Sequence, residues 1–267
     1  MKLRRYFSMT RAGMLEQLQF RLGSLVTVAG NLIYLVLIYF LWKAIFASAG
    51  TDEVNGMTFS DTLIYLVLAS ALFSFMEMYL VWYMGNDIQS GKIVLDLIKP
   101  IGYRKFLFWT QSGSLVMSFL MTFLPTFLVV YFLTDGVIHL GVNLLFFMVS
   151  VVFALTINFC IDFFIGTVCL YTQSIWGINI MKEVIVLLLS GATIPLAFFP
   201  DTLRRIVSYL PFQSIYNTPL TILIRNSMPL QETLTMLAVQ LFWACVMLLL
   251  TSLFWRRSIR KITVNGG

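Results

Sequence analysis

Charge is scarce in this sequence. Asp, Glu, Lys and Arg supply 11% of its 267 residues, where a soluble domain carries about 25%. There is a single histidine, His139, with no partner ligand near it in the chain, which excludes a histidine-built metal or catalytic centre. The three cysteines, Cys160, Cys169 and Cys245, all fall inside apolar runs without CxxC or metal-ligand spacing. They read as small apolar side chains. A Walker A loop is also missing. It needs GxxxxGKS/T so that successive amides wrap the phosphates and a hydroxyl reaches magnesium. Ser90-Gly91-Lys92 is followed by Ile93 and has no upstream glycine in register, so this chain does not hydrolyse ATP in that way. HExxH, GxSxG and paired carboxylates on one helical face are absent too. The expectation is a non-catalytic chain without a cofactor.

What fills the sequence is apolar. Hydrophobic residues make up 59% of it, and the mean hydropathy is +0.88. The apolar residues come in runs long enough to cross a bilayer, which takes roughly 20 residues in a helix. The expected fold is an all-α integral membrane protein, one transmembrane domain over residues 1–267. Six spans are expected at about 22–46, 59–84, 106–133, 141–170, 184–199 and 233–255. Before them, Leu3, Phe7, Met14 and Leu18 share a helical face flanked by Lys2, Arg4, Arg5 and Arg11. That pattern predicts a helix lying in the membrane interface over residues 1–21. A secretory signal peptide is rejected, because the apolar region that follows is longer than such peptides use. Pro125 predicts a kink in the third span. Residues 200–232 hold two apolar pieces separated by Pro211. In the first, Leu203, Ile206, Val207 and Leu210 share a face; the second, 212–224, contains Pro219. Neither can span, and both are expected to dip into the outer leaflet as re-entrant helices.

With six spans both termini lie on one side. That side collects fourteen of the eighteen Lys and Arg residues, and the other side four. The positive-inside rule then puts both termini and the loop 85–105 in the cytoplasm. The net charge of +6 is accounted for by these flanks, and nucleic acid is not an expected partner. Trp42, Trp82, Trp109, Trp176 and Trp255 lie at or near span ends, as an aromatic belt requires. Three polar residues fall inside spans: Glu77, Asn158 and Asp162. Ionisable residues at such depth face the interior and pair, so structural pairing or headgroup contact is the favoured role, with a proton relay as the alternative.

The loop 85–105 carries a short amphipathic helix. Ile93, Leu97 and Ile101 share a face, Lys92, Asp96 and Lys99 lie elsewhere, and Pro100 with Gly102 ends it. On these residues alone, two readings stand side by side. The loop is a docking surface through which a soluble partner pushes on two spans, or a solvated basic loop that only fixes topology.

Further residues add a resemblance. Six spans, the interfacial helix and the stretch SGKIVLDLIKPIGY between spans two and three resemble permease subunits of type-2 ABC exporters. Gly191-Ala-Thr-Ile-Pro195, Phe198-Phe199-Pro200, and Leu210-Pro211-Phe212 with Tyr216 and Pro219 are similar to the pattern in a bacterial branch that pairs two permeases with a separate ATPase. The resemblance covers nearly the whole chain. It implies ATP-driven export of an amphipathic substrate of the drug, lipid or peptide class from a bacterial cytoplasmic membrane. The implied partners are two copies of an ABC ATPase subunit, a second permease, the same chain or a different one, and membrane lipids. It implies ATPase coupling through Ser90, Gly91, Lys92, Ile93, Asp96, Leu97, Lys99, Pro100, Arg104 and Lys105. It also implies an outer gate around Pro195, Phe198, Phe199, Pro200, Pro211, Phe212, Tyr216 and Pro219. A polysaccharide or teichoic-acid exporter of the same architecture, and an ion-driven carrier, remain as alternatives.

Overall fold

A computed structural model of the chain describes residues 2–19, 21–134, 141–172, 174–225 and 228–261; His139 lies outside them. Helix α1 (Lys2–Gln19) precedes the long α2 (Arg21–Ala49). Next come two two-residue strands, β1 (Glu53–Val54) and β2 (Met57–Thr58), paired antiparallel with Glu53 opposite Thr58. Asn55 and Gly56 make the turn with φ of 53° and 78°. An Asn-Gly pair suits a two-residue hairpin, which needs positive φ at both central positions. Thr58 then starts α3 (Phe59–Met76) with a capping box. Its hydroxyl accepts from the Asp61 amide at 3.1 Å, and the Asp61 carboxylate accepts from the Thr58 amide at 3.3 Å. Two of the orphan donors at the helix start are thereby satisfied.

The remaining helices are α4 (Leu80–Gln89), α5 (Ile93–Leu97), α6 (Tyr103–Ser118), α7 (Leu124–Leu133), α8 (Val142–Val168), α9 (Ile175–Leu189), α10 (Asp201–Ser208), α11 (Asn217–Ile224) and α12 (Leu230–Ser258). A π-helical turn, Phe119–Phe123, joins α6 to α7. Pro125 sits just after it, in the first turn of α7, so the missing proline N–H is absorbed by a widened turn.

Among the described residues, five helical stretches are long and apolar enough to cross a membrane: 29–49, 59–89, 103–133, 142–168 and 230–258. The chain is therefore an all-α membrane protein apart from its small hairpin. Two sequence expectations are corrected. First, the second span is not one helix. It breaks at residues 77–79, where Glu77 is extended with φ −63° and ψ 120°. The break frees a carbonyl at Met76, and the Asn158 side chain donates to it at 2.9 Å. Second, residues 184–199 do not form one continuous helix. Helix α9 begins earlier, at Ile175, and ends at Leu189. Gly191 then turns the chain with φ +81°, a conformation glycine adopts without strain. Residues 171–183, left as a polar link between the expected spans 141–170 and 184–199, are helical from Ile175 onward, where Asn179, Lys182 and Glu183 find partners within the fold.

Helix α8 lies at the centre, against α12, α11 and α4. Helix α3 packs on α2, α6, α7 and α11. Ser150, Gln240 and Ser214 tie α8, α12 and the turn before α11 together: Ser150 Oγ donates to Gln240 Oε1 at 2.8 Å, and Gln240 Nε2 donates to the Ser214 carbonyl at 2.7 Å. Helix α1 runs along α6 through facing glycines. A Cβ on Gly13 would stand 2.4 Å from the Thr110 carbonyl oxygen, and one on Gly113 2.2 Å from that of Thr10. Tyr6 stacks on Trp109 at 5.1 Å between centroids. Helix α2 leans on α3, where Asn31 Nδ2 donates to Ser74 Oγ at 2.9 Å.

Candidate coupling surface and intramembrane polar cluster

The chain makes an elbow between α4 and α6. Ser90 ends α4 with its hydroxyl on the Asn86 carbonyl, and Gly91 turns with φ +73°. The single-turn α5 follows. Ile93 is fully packed, and Leu97 and Ile101 are half-buried against the core. Asp96 is buried as well, 6% exposed. Its Oδ1 accepts from Lys99 Nζ at 2.5 Å, and that ammonium lies 3.8 Å from the centre of the Phe106 ring. Arg104 turns toward α12, donating to the Leu248 carbonyl at 3.3 Å and to Ser252 Oγ. Beside it Tyr103 stacks on Trp255 at 4.9 Å.

The outward surface is thus carried by other side chains. Ser90, Gly91, Lys92, Pro100 and Lys105 are exposed. Leu95 and Ile98 are exposed to 61% and 74%. Asp96, one of the coupling residues that the resemblance implies, faces inward in this chain, where Lys99 neutralises it. Leu95 and Ile98 were missed because this segment, IVLDLI, is apolar on both faces, and only one face was assigned to packing.

The three intramembrane polar residues come together. Asp162, 1% exposed, accepts from Lys182 Nζ at 2.9 Å. Asn179 Nδ2 donates to Glu183 Oε1 at 2.5 Å. Glu77, exposed at the mouth, lines a cavity of about 30 Å³ with Asn158, Asp162, Lys182, Glu183 and Tyr216. That volume is large enough for one water molecule among several polar groups. A buried ion pair of this kind survives because each charge would be far more costly without the other. Lys182 and Glu183 were absent from the sequence-derived cluster because they were assigned to a link between spans.

On the far side of the molecule, Phe198 packs edge-on against Trp42 at 4.5 Å and also meets Phe46. Pro195, Pro211 and Pro219 are buried, Phe199 and Phe212 are half-buried, and Pro200 is exposed. Tyr216 departs from this group and lines the polar cavity. The Tyr65 hydroxyl donates to the Gly191 carbonyl at 2.9 Å, and the Asn217 amide donates to the Ser190 carbonyl at 3.2 Å. These bonds satisfy the irregular backbone after α9. Two short helices, α10 and α11, are present between α9 and α12. Helix α11 is buried against α8 and α3, whereas α10 buries only Val207 and leaves Leu203 and Ile206 exposed. Of the apolar face expected on α10, Val207 packs within the protein, and Leu203 and Ile206 stay on the surface. A larger cavity of about 540 Å³ opens here beside Asp61, Tyr65, Arg204, Asn217 and Arg225.

Comparison with curated proteins finds no match. The family described as ABC-2 family transporter protein matches residues 32–266. That match takes in most of α2, the other long apolar helices, the elbow and both short helices. The chain belongs to the ABC-2 transporter family and is a multi-pass transport permease of the type-2 ABC class.

Proposed function

We propose that this permease exports an amphipathic substrate of the drug, lipid or peptide class, driven by a separate ABC ATPase that docks on α5. The observation that carries this reading is the asymmetry of that one-turn helix. One side is held by Ile93, Asp96 and Lys99, while Leu95 and Ile98 point away with nothing over them among the described residues. Exposed apolar residues on a rigid, charged elbow suit a protein partner better than water. The elbow is continuous with the helix break at Glu77 on one side and with α6 on the other, so a push there reaches both spans. ATP binding and hydrolysis in the partner would supply the push, with two permeases and two ATPases in the working complex.

In this reading α9 and the segment 190–199, irregular apart from a 3-10 turn at Leu196–Phe198, together make one further crossing, the fifth in chain order. The bonds from Tyr65 and Asn217 support it, since irregular backbone at membrane depth must be satisfied within protein. Six crossings put both termini and the elbow in the cytoplasm and α10 and α11 in the outer leaflet. The Asp162–Lys182 pair supports a structural role for that charge over an ion path. The test is purification of the chain from its native membrane. An ABC ATPase is expected to accompany it, and Leu95→Asp with Ile98→Asp is expected to lose the ATPase while the permease stays folded. Transport by the purified chain alone, without ATP, would defeat the proposal.

A further inference from the structure

We infer that a cavity between the start of α6 and the end of α12 binds the phosphate of an anionic phospholipid. The inference does not rest on the export reading or on an ATPase docking at α5.

Three cations converge on this cavity, whose volume is about 250 Å³. Arg104 and Lys105 come from the first turn of α6, and Arg256 from the last turn of α12. No acidic residue lines it among the described residues. The ion pairs among those residues belong to Lys99, Lys182, Arg204 and Arg225, so none of the three cations has a carboxylate partner there. Arg104 is half-buried, and it donates to neutral groups: the Leu248 carbonyl at 3.3 Å and Ser252 Oγ. Like charges gathered in this way repel. The helix end adds to the same potential. A helix start favours negative charge, yet Gly102 caps α6 without a side-chain acceptor, and the first turn holds no acid. A bound anion relieves both at once.

Phosphate on a lipid suits the place. The stretches 103–133 and 230–258 are both long and apolar enough to cross a membrane. They meet here at their ends, which is headgroup level. Tyr103 and Trp255 line the cavity and stack at 4.9 Å between centroids, and aromatic rings of this kind favour that level. A guanidinium grips two phosphate oxygens at once, and a lysine adds a point charge. Basic pockets between membrane helices suit anionic headgroups. A choline headgroup brings its own cation beside the phosphate, which three positive side chains repel. Arg257 supplies the contrast. It is exposed next to Arg256 but lies outside the cavity, where a cation acts through water as an orientation signal. A lipid in the cavity bridges α6 to α12 where the elbow ends, alongside the bonds from Arg104.

The full chain in detergent micelles holding equal amounts of phosphatidylglycerol and phosphatidylcholine tests this by native mass spectrometry. The wild type is expected to retain phosphatidylglycerol. Arg256→Gln should lower that retention about tenfold or more, Arg256→Lys should keep most of it, and Arg257→Gln should match the wild type. Lys105→Gln, at the other exposed cavity cation, repeats the measurement if Arg256→Gln does not fold. Phosphatidylglycerol should also raise the thermal midpoint of the wild type, as a ligand of the folded state does, while phosphatidylcholine and inorganic phosphate should not. Equal losses in Arg256→Gln and Arg257→Gln would reduce the effect to diffuse attraction and overturn the site. Inorganic phosphate that stabilises as well as the lipid would overturn the lipid as its occupant. A wild type that retains no phosphatidylglycerol, with an Arg256→Gln variant that loses its ATPase instead, would make the cavity a protein contact and overturn the inference.

Discussion

Gly13 and Gly113 face each other at a crossing so close that a single methyl on either meets backbone, not a yielding side chain. Gly113→Ala is expected to destabilise the chain by about 1–3 kcal/mol through overpacking, visible as a lower thermal midpoint in detergent. Gly23, with nothing near its ideal Cβ among the described residues, should accept alanine with little change. Lys182 makes a second case. Removing its amine leaves Asp162 charged and nearly sealed from solvent. Lys182→Met is expected to cost about 3–5 kcal/mol, while the double variant Lys182→Met with Asp162→Leu should recover most of it. Thermal unfolding of the single and double variants checks the coupling. Glu77, Asn158 and Asp162 were legible in the sequence as polar residues inside apolar runs. Their partners were not, because Lys182 and Glu183 look like ordinary linker charges until α9 is seen to start at Ile175.

At the scale of elements, the apolar runs were readable and the irregular joints were not. Hydropathy averages over a window, so it merges α3 and α4 across the break at Glu77 and hides the π-turn before Pro125. The end of α9 depends on one glycine in the left-handed region, a choice that tertiary bonds from Tyr65 and Asn217 reinforce. The elbow yields an element-scale prediction. Leu95→Asp and Ile98→Asp change exposed positions and should leave stability within about 0.5 kcal/mol. Ile93→Asp, at a packed position 2% exposed, should lower the thermal midpoint sharply. Measured side by side, the three variants separate a docking face from a packing face.

For the whole molecule, the charge count and the hairpin point to a sidedness that can be measured. In a variant lacking Cys245, a cysteine at Asn55 is expected to react with a membrane-impermeant maleimide applied outside intact cells. A cysteine at Gly91 should react only after the membrane is opened. Labelling of both from one side would contradict six crossings. The same experiment without added cysteines should leave Cys160 and Cys169 unmodified, since both are buried.

The glycine-locked pairing of α1 with α6 has a mechanical outcome. Helix α6 begins at Tyr103, directly after the elbow, and its first turn is bolted to α12 through Arg104. Any stroke delivered at α5 therefore arrives at a beam already clamped at its root, and α1 rides on that beam like an outrigger. The stroke cannot slide α1 along α6, because two backbones in contact offer no slack. It can only tip the pair together, so the N-terminal helix should trace the drive cycle as a change of tilt against the headgroups.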